Sequence, residues 1–194
     1  MLNSVNFINN VAKITSGSFF GQLTFALTTP MITRIYDPEV FGYFAIYSAI
    51  VRLISAVSSL RYEMALLITK KEKDAKYLFL ISNVFVFIIS LISYLVLSLL
   101  SLFNSSSTVL ILIDSYKEFI CLGIFLWGMI NVFNASEARF ERFSNIGILK
   151  FIRPFITAVV TIGYGLIFTS SYLGLFVGDL IGTFFGIIFI FLRN

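Results

Sequence analysis

The sequence predicts an all-α, polytopic membrane protein of about six transmembrane helices, and three observations carry that reading. Hydrophobic residues make up 58% of the 194-residue chain, 23 of them Phe, and the mean hydropathy is +0.96. That is more apolar surface than one soluble core of this size can hide. Apolar runs of about 20 residues or more, the length that crosses a bilayer, recur at residues 11–35, 41–69, 77–103, 111–135, 149–169 and 172–192. The basic residues fall in the short intervals between those runs.

With the N-terminus cytoplasmic, Lys13, Arg61, Lys70, Lys71, Lys73, Lys76, Arg139, Arg142, Lys150, Arg153 and Arg193 collect on the inner side, and only Arg34 and Lys117 on the outer. Lys and Arg enrichment in short cytoplasmic loops sets orientation, so both termini are expected inside. The net charge of +4 is thereby assigned to topology, and no nucleic-acid partner is expected. The chain has no His, which removes the Ser-His-Asp triad, the usual zinc ligands and the neutral-pH imidazole switch. No carboxylate pair or Ser/Lys dyad can be placed at one depth. Neither an enzyme, a metal nor a cofactor is expected. The single Cys121 can form no intrachain disulfide. No cleavage-site pattern follows the first apolar run, which is expected to stay as a span.

Taken in order, the first run carries Thr15, Ser18, Gln22, Ala26, Thr29 and Thr33 at helical spacing, with Pro30 near its outer end. That stripe suits either interhelical hydrogen bonds or a hydrated cavity, and Pro30 can kink the helix. Tyr36-Asp37-Pro38-Glu39 is a turn, with Asp37 suited to the N-cap and Pro38 to the first position of the next helix. Along the second run, at about 100° per residue, Arg52 shares a face with Ala45, Ser48, Ala49, Ser55, Ala56, Ser59 and Glu63. Arg61 falls nearly opposite, where it can snorkel to the cytoplasmic surface. Arg52 lies too deep for that, and a deep charge faces a bundle interior or a watery cavity. It is read as solute-facing, as paired with Glu63 or Asp179, or as snorkelling.

The charge run Lys70-Lys71-Glu72-Lys73-Asp74 reads as a solvated loop, and the third run as partly lipid-facing scaffold. Residues 104–108, Asn-Ser-Ser-Ser-Thr, read as a loop. The fourth run sets Gly123, Trp127, Asn131, Asn134 and Ala138 on one face, fit either to line a path for sugar hydroxyls or to bond a neighbouring helix. Arg139-Phe140-Glu141-Arg142 follows as a loop at the cytoplasmic mouth. The fifth run carries Arg153, Pro154, Thr157, Thr161 and Tyr164, with Pro154 expected in its first turn. A tight turn at Ser170-Ser171 leads to the sixth. There Gly174, Gly178, Gly182 and Gly186 repeat every fourth residue, a close-packing seam, with the deep Asp179 beside it.

The succession Gln22, Pro30, Thr33-Arg34-Ile35-Tyr36-Asp37-Pro38-Glu39-Val40-Phe41-Gly42, then Leu60-Arg61-Tyr62-Glu63 and a charged loop, resembles the start of bacterial polysaccharide biosynthesis membrane proteins. These are the lipid-linked oligosaccharide flippases of the O-antigen and capsule type, in the multidrug/oligosaccharidyl-lipid/polysaccharide exporter superfamily. The resemblance implies two six-helix lobes around a central cavity in the bacterial cytoplasmic (inner) membrane. It implies a partner that is an anionic polyprenyl-diphosphate-linked glycan, carried across the bilayer. The substrate cavity is then expected to involve Arg52, Gln22, Ser48, Ser55, Ser59, Asn131, Asn134 and Trp127, with Asp179 and Glu63 in an ion pair or in coupling. Arg61, Arg139 and Arg142 would mark the cytoplasmic mouth. The sequence ends at Asn194, where a family member continues into the second lobe. A C-terminal lobe, a second copy or polysaccharide assembly proteins are the expected partners. The alternatives are a multidrug cation exporter lobe of the same superfamily, which would want carboxylates in the cavity, and a non-transporting membrane scaffold or inactive remnant.

Overall fold

The computed structural model describes residues 4–102, 108–168 and 173–193. Among the described residues the regular structure is all helix: α1 Ser4–Ile35, α2 Pro38–Ser55, α3 Tyr62–Ile68, α4 Glu72–Leu102, α5 Thr108–Arg139, α6 Phe143–Ile167 and α7 Leu173–Arg193. Four of these, α4 to α7, are long and apolar enough to cross a membrane. Along α4 the side chains of Leu80, Val84, Phe87, Leu91, Leu95 and Leu99 are uncovered by the rest of the chain. An apolar surface of that extent belongs against lipid, so the chain is a membrane protein. Of the other two expected spans, α1 is diluted by its Thr, Ser, Asn and Gln, and the 18-residue α2 carries Glu39 and Arg52. Of the expected loop at residues 104–108, residues 104–107 lie outside the described residues and Thr108 already begins α5, and the expected turn at 170–171 also lies outside them.

The chain divides into two compact units, Met1–Asp37 with Phe133–Asn194, and Pro38–Val132. In the first unit α6 packs on α1 and on α7. Gly17 of α1 lies on the backbone of Gly147, Gly147 on the carbonyl of Lys13, and Gly21 on the carbonyl of Lys150, leaving no room for a Cβ at any of the three. Small residues let two helices approach to backbone contact. The Lys150 carbonyl is one that Pro154, four residues on, cannot serve with an N–H. Pro154 therefore stands inside α6 and not in a first turn, because the helix already begins at Phe143. The glycine seam of α7 is filled by named partners. The Tyr36 hydroxyl lies over Gly174, Thr161 Oγ1 over Gly178, Thr157 Oγ1 over Gly182 and Leu149 Cδ1 against Gly186. Tyr36, 2% exposed, also donates to the Thr161 carbonyl at 2.8 Å. Burial raises its hydroxyl pKa above the ordinary tyrosine value.

In the second unit the expected continuous helix over residues 41–69 is broken. α2 begins at Pro38, as the Asp-Pro turn predicts, and ends at Ser55. Residues 56–61 form turns before α3. The backbone there switches to i→i−3 bonds, Val57 to Ile54, Ser58 to Ser55, Leu60 to Val57 and Tyr62 to Ser59, the tighter 3₁₀ pattern. The serines help to drive this. Ser55 Oγ donates to the Arg52 carbonyl at 3.2 Å and Ser58 Oγ to the Ser55 carbonyl at 2.9 Å, offering the backbone an alternative to helix. Leu60 and Arg61 then take φ of 51° and 64°, a left-handed conformation that costs about 1–2 kcal/mol per non-glycine residue. α5 has a kink of its own at Tyr116.

Candidate functional site

The site is built where α2 meets α5 in the second unit. Gly123 lets the helices close, with the Tyr47 hydroxyl 2.6 Å and Val51 Cγ2 3.0 Å from where a Cβ would stand. Val51 and Tyr47 are both fully buried there. One residue beyond Val51 on α2 is Arg52, and one turn beyond Gly123 on α5 is Trp127. The guanidinium carbon of Arg52 consequently sits 4.2 Å from the centroid of the Trp127 ring. Such a cation–π contact contributes about 0.5–1 kcal/mol when exposed and about 2 when desolvated. Arg52 is exposed and Trp127 half-buried, so the ring supports the guanidinium while the arginine stays open to approach. Among the described residues no carboxylate pairs with it. An exposed guanidinium matches the oxygens of phosphate or carboxylate two at a time.

One turn further along α5, Asn131 has a partner that its place on the stripe does not reveal. Its Nδ2 donates at 3.3 Å to the Ser55 carbonyl at the end of α2. That carbonyl also accepts from the Ser58 N–H and hydroxyl, so Asn131 adds a tie from the neighbouring helix to the end of α2. Next to the break, Ser59 donates to the Glu63 carboxylate. Ser55, Ser59 and Glu63 are 3%, 2% and 7% exposed. The break thus removes the face that Arg52 was expected to share with Ser59 and Glu63. Arg52 and the neighbouring Ala45, Ala49 and Ala56 are open, Ser48 is half-buried, and Ser55, Ser59 and Glu63 are closed in. Arg52 and Glu63 form no ion pair. Arg61, in its left-handed turn, is exposed.

The remaining candidates belong to the first unit. Gln22 is exposed on α1. The hydroxyls near it serve their own helix, Ser18 to the Ile14 carbonyl, Thr29 to Phe25 and Thr33 to Pro30. α1 continues through Pro30. Asn134 is half-buried, with its Oδ1 buried and without a hydrogen-bond partner among the described residues. Asp179 is 7% exposed on α7, where Thr183 Oγ1 donates to its backbone carbonyl at 2.6 Å. Arg139 and Arg142 flank the turn between α5 and α6, both over the Phe140 ring. Glu137, 1% exposed, is the anchor of that turn. Its carboxylate accepts from Asn145 Nδ2 at 2.6 Å and stands 3.9 Å from the Arg142 guanidinium, and its carbonyl accepts the Arg142 N–H at 2.8 Å.

Among the described residues no three His, Cys, Asp or Glu side chains gather as metal ligands. The arrangement at Arg52 offers anion recognition, with a planar cation, an aromatic support and an uncovered approach. Comparison with protein-family models, curated proteins and solved structures finds no match to this chain.

Proposed function

We propose that the chain is one lobe of a flippase for polyprenyl-diphosphate-linked oligosaccharides, acting in O-antigen or capsule biosynthesis in a bacterial cytoplasmic membrane. The observation that carries this reading is Arg52, midway along an apolar stretch, exposed and with its guanidinium carbon 4.2 Å from the Trp127 ring centroid. A deep membrane arginine is expensive and marks a ligand path, and a diphosphate is the ligand whose charge and oxygen geometry repay it. In this reading α1 and the α2–α3 pair are spans one and two of six, both termini are cytoplasmic, and a second lobe completes the cavity. In the same reading the positive-inside bias assigns Arg61, Arg139 and Arg142 to the cytoplasmic side. A cation exporter fits less well, because Glu63 is buried under Ser59 and not on the open face of α2.

The test is surface polysaccharide in cells that depend on this protein, with its abundance controlled. Arg52→Ala is expected to abolish most of it, and Arg52→Lys to restore part, since Lys keeps the charge without the planar fork. Wild-type polysaccharide in both variants removes Arg52 from the mechanism and the flippase reading with it.

A further inference from the structure

A groove that the flippase reading does not use lies in the first unit. Lys13, Ser16, Gly17 and Phe20 of α1 face Ser144, Gly147, Ile148 and Phe151 of α6 across a groove of about 290 Å³. We propose that this groove binds an anionic glycerophospholipid, its phosphodiester at Lys13 and Ser144 and one acyl chain along Phe20, Ile148 and Phe151; the Ser16 hydroxyl already donates to the Lys13 carbonyl.

The groove exists because its floor is thin. Gly17 and Gly147 meet backbone to backbone, so the larger neighbours on each helix form walls above a notch. The Phe20 and Phe151 rings meet edge to face with centroids 6.2 Å apart, and both remain exposed, as does Lys13. Its lining is graded along its length, cation and hydroxyls at one end and rings with Ile148 at the other. Among the described residues no acidic side chain lines it, and α6 has none in its first turn. This charge complementarity decides the occupant. A zwitterionic lipid would bring its own cation toward Lys13, and a peptide helix would need a matching apolar face and no phosphate. Basic pockets between membrane helices take anionic headgroups by this chemistry.

The full chain in detergent is titrated with phosphatidylglycerol, phosphatidylcholine and inorganic phosphate, bound lipid being counted by native mass spectrometry. Phosphatidylglycerol is expected to bind preferentially. Lys13→Gln should weaken it about fivefold, the contribution of one lysine near an anionic headgroup, without changing phosphatidylcholine. Lys13→Arg should restore it, and Lys70→Gln, a charge loss outside the groove, should leave it unchanged. Phe20→Ala should weaken it while the helix content stays constant, which reports the chain-binding end without altering charge. Equal binding of the two lipids overturns the proposal, as does equal loss in Lys13→Gln and Lys70→Gln. Saturation by inorganic phosphate at the same concentrations overturns the lipid in favour of a free anion.

Discussion

The Arg52 guanidinium carbon lies 4.2 Å from the centre of the Trp127 ring, and Trp127 is the only tryptophan in the chain. The pair therefore reports on itself. Arg52→Ala is expected to change the intensity and the emission maximum of the intrinsic fluorescence, while Arg61→Ala leaves both alone. Identical spectra for wild type and Arg52→Ala would mean the two side chains do not meet.

Trp127→Leu should lower transport with Arg52 intact. Loss of a cation–π support of about 0.5–2 kcal/mol corresponds to roughly two- to thirtyfold in affinity for an anionic headgroup. Trp127→Phe should fall between. The check is surface polysaccharide at matched protein abundance, where an unimpaired Trp127→Leu would limit the ring to packing.

Asn131 is expected to behave as a structural residue. Asn131→Leu removes the donor to the Ser55 carbonyl and should cost about 0.6–2 kcal/mol, read as a lower unfolding temperature in nanodiscs. If stability is unchanged and only polysaccharide output falls, the amide contacts the glycan and not the break.

The α6–α7 seam gives a graded test. Gly178→Val and Gly182→Val drive a side chain into Thr161 and Thr157 respectively, and overpacking of this kind costs about 1–3 kcal/mol. Gly163, with nothing within 4 Å of the place a Cβ would take, should accept Ala at no loss in folded yield. Comparable yields for all three variants would contradict the interlocking.

At the α5–α6 turn, Asn145→Leu removes a donor from the buried Glu137 carboxylate. An acceptor left short of partners costs about 1–3 kcal/mol, more for a charge. Glu137→Gln should recover part of that loss in the double variant, measured by thermal unfolding. A double variant no better than Asn145→Leu alone would show that the charge is not the cause.

What the residues disclose and what they hide follows from where each signal lives. Helical character is legible because a run of apolar residues must be helical to satisfy its backbone in lipid. The start of α2 is legible because Pro38 fixes its own backbone. The glycine seam is legible because four-residue spacing is itself a surface of the helix. The break after Ser55 is not, since no Gly or Pro marks it and Leu60 and Arg61 adopt left-handed backbone that neither favours. With the break invisible, helical spacing puts Arg52, Ser59 and Glu63 on one face by counting through residues that are not helical. Asn131 stands on the right stripe, but its partner is the Ser55 carbonyl at the break, which helical spacing alone does not single out. The early start of α6 is hidden by Arg139 to Arg142, whose charges read as a loop although only residues 140–142 turn. The meeting of Arg52 and Trp127 is half visible. Each stands out on its own helix, and only Gly123, which brings Val51 and Tyr47 close, puts them together.

The most direct test of the Arg52 site is titration of the protein in nanodiscs with a polyprenyl diphosphate, read by Trp127 fluorescence and counted by native mass spectrometry. A saturable change is predicted, which Arg52→Ala weakens at least tenfold, about 1.4 kcal/mol, and which Lys13→Gln leaves intact. Equal affinity in wild type and Arg52→Ala would contradict it.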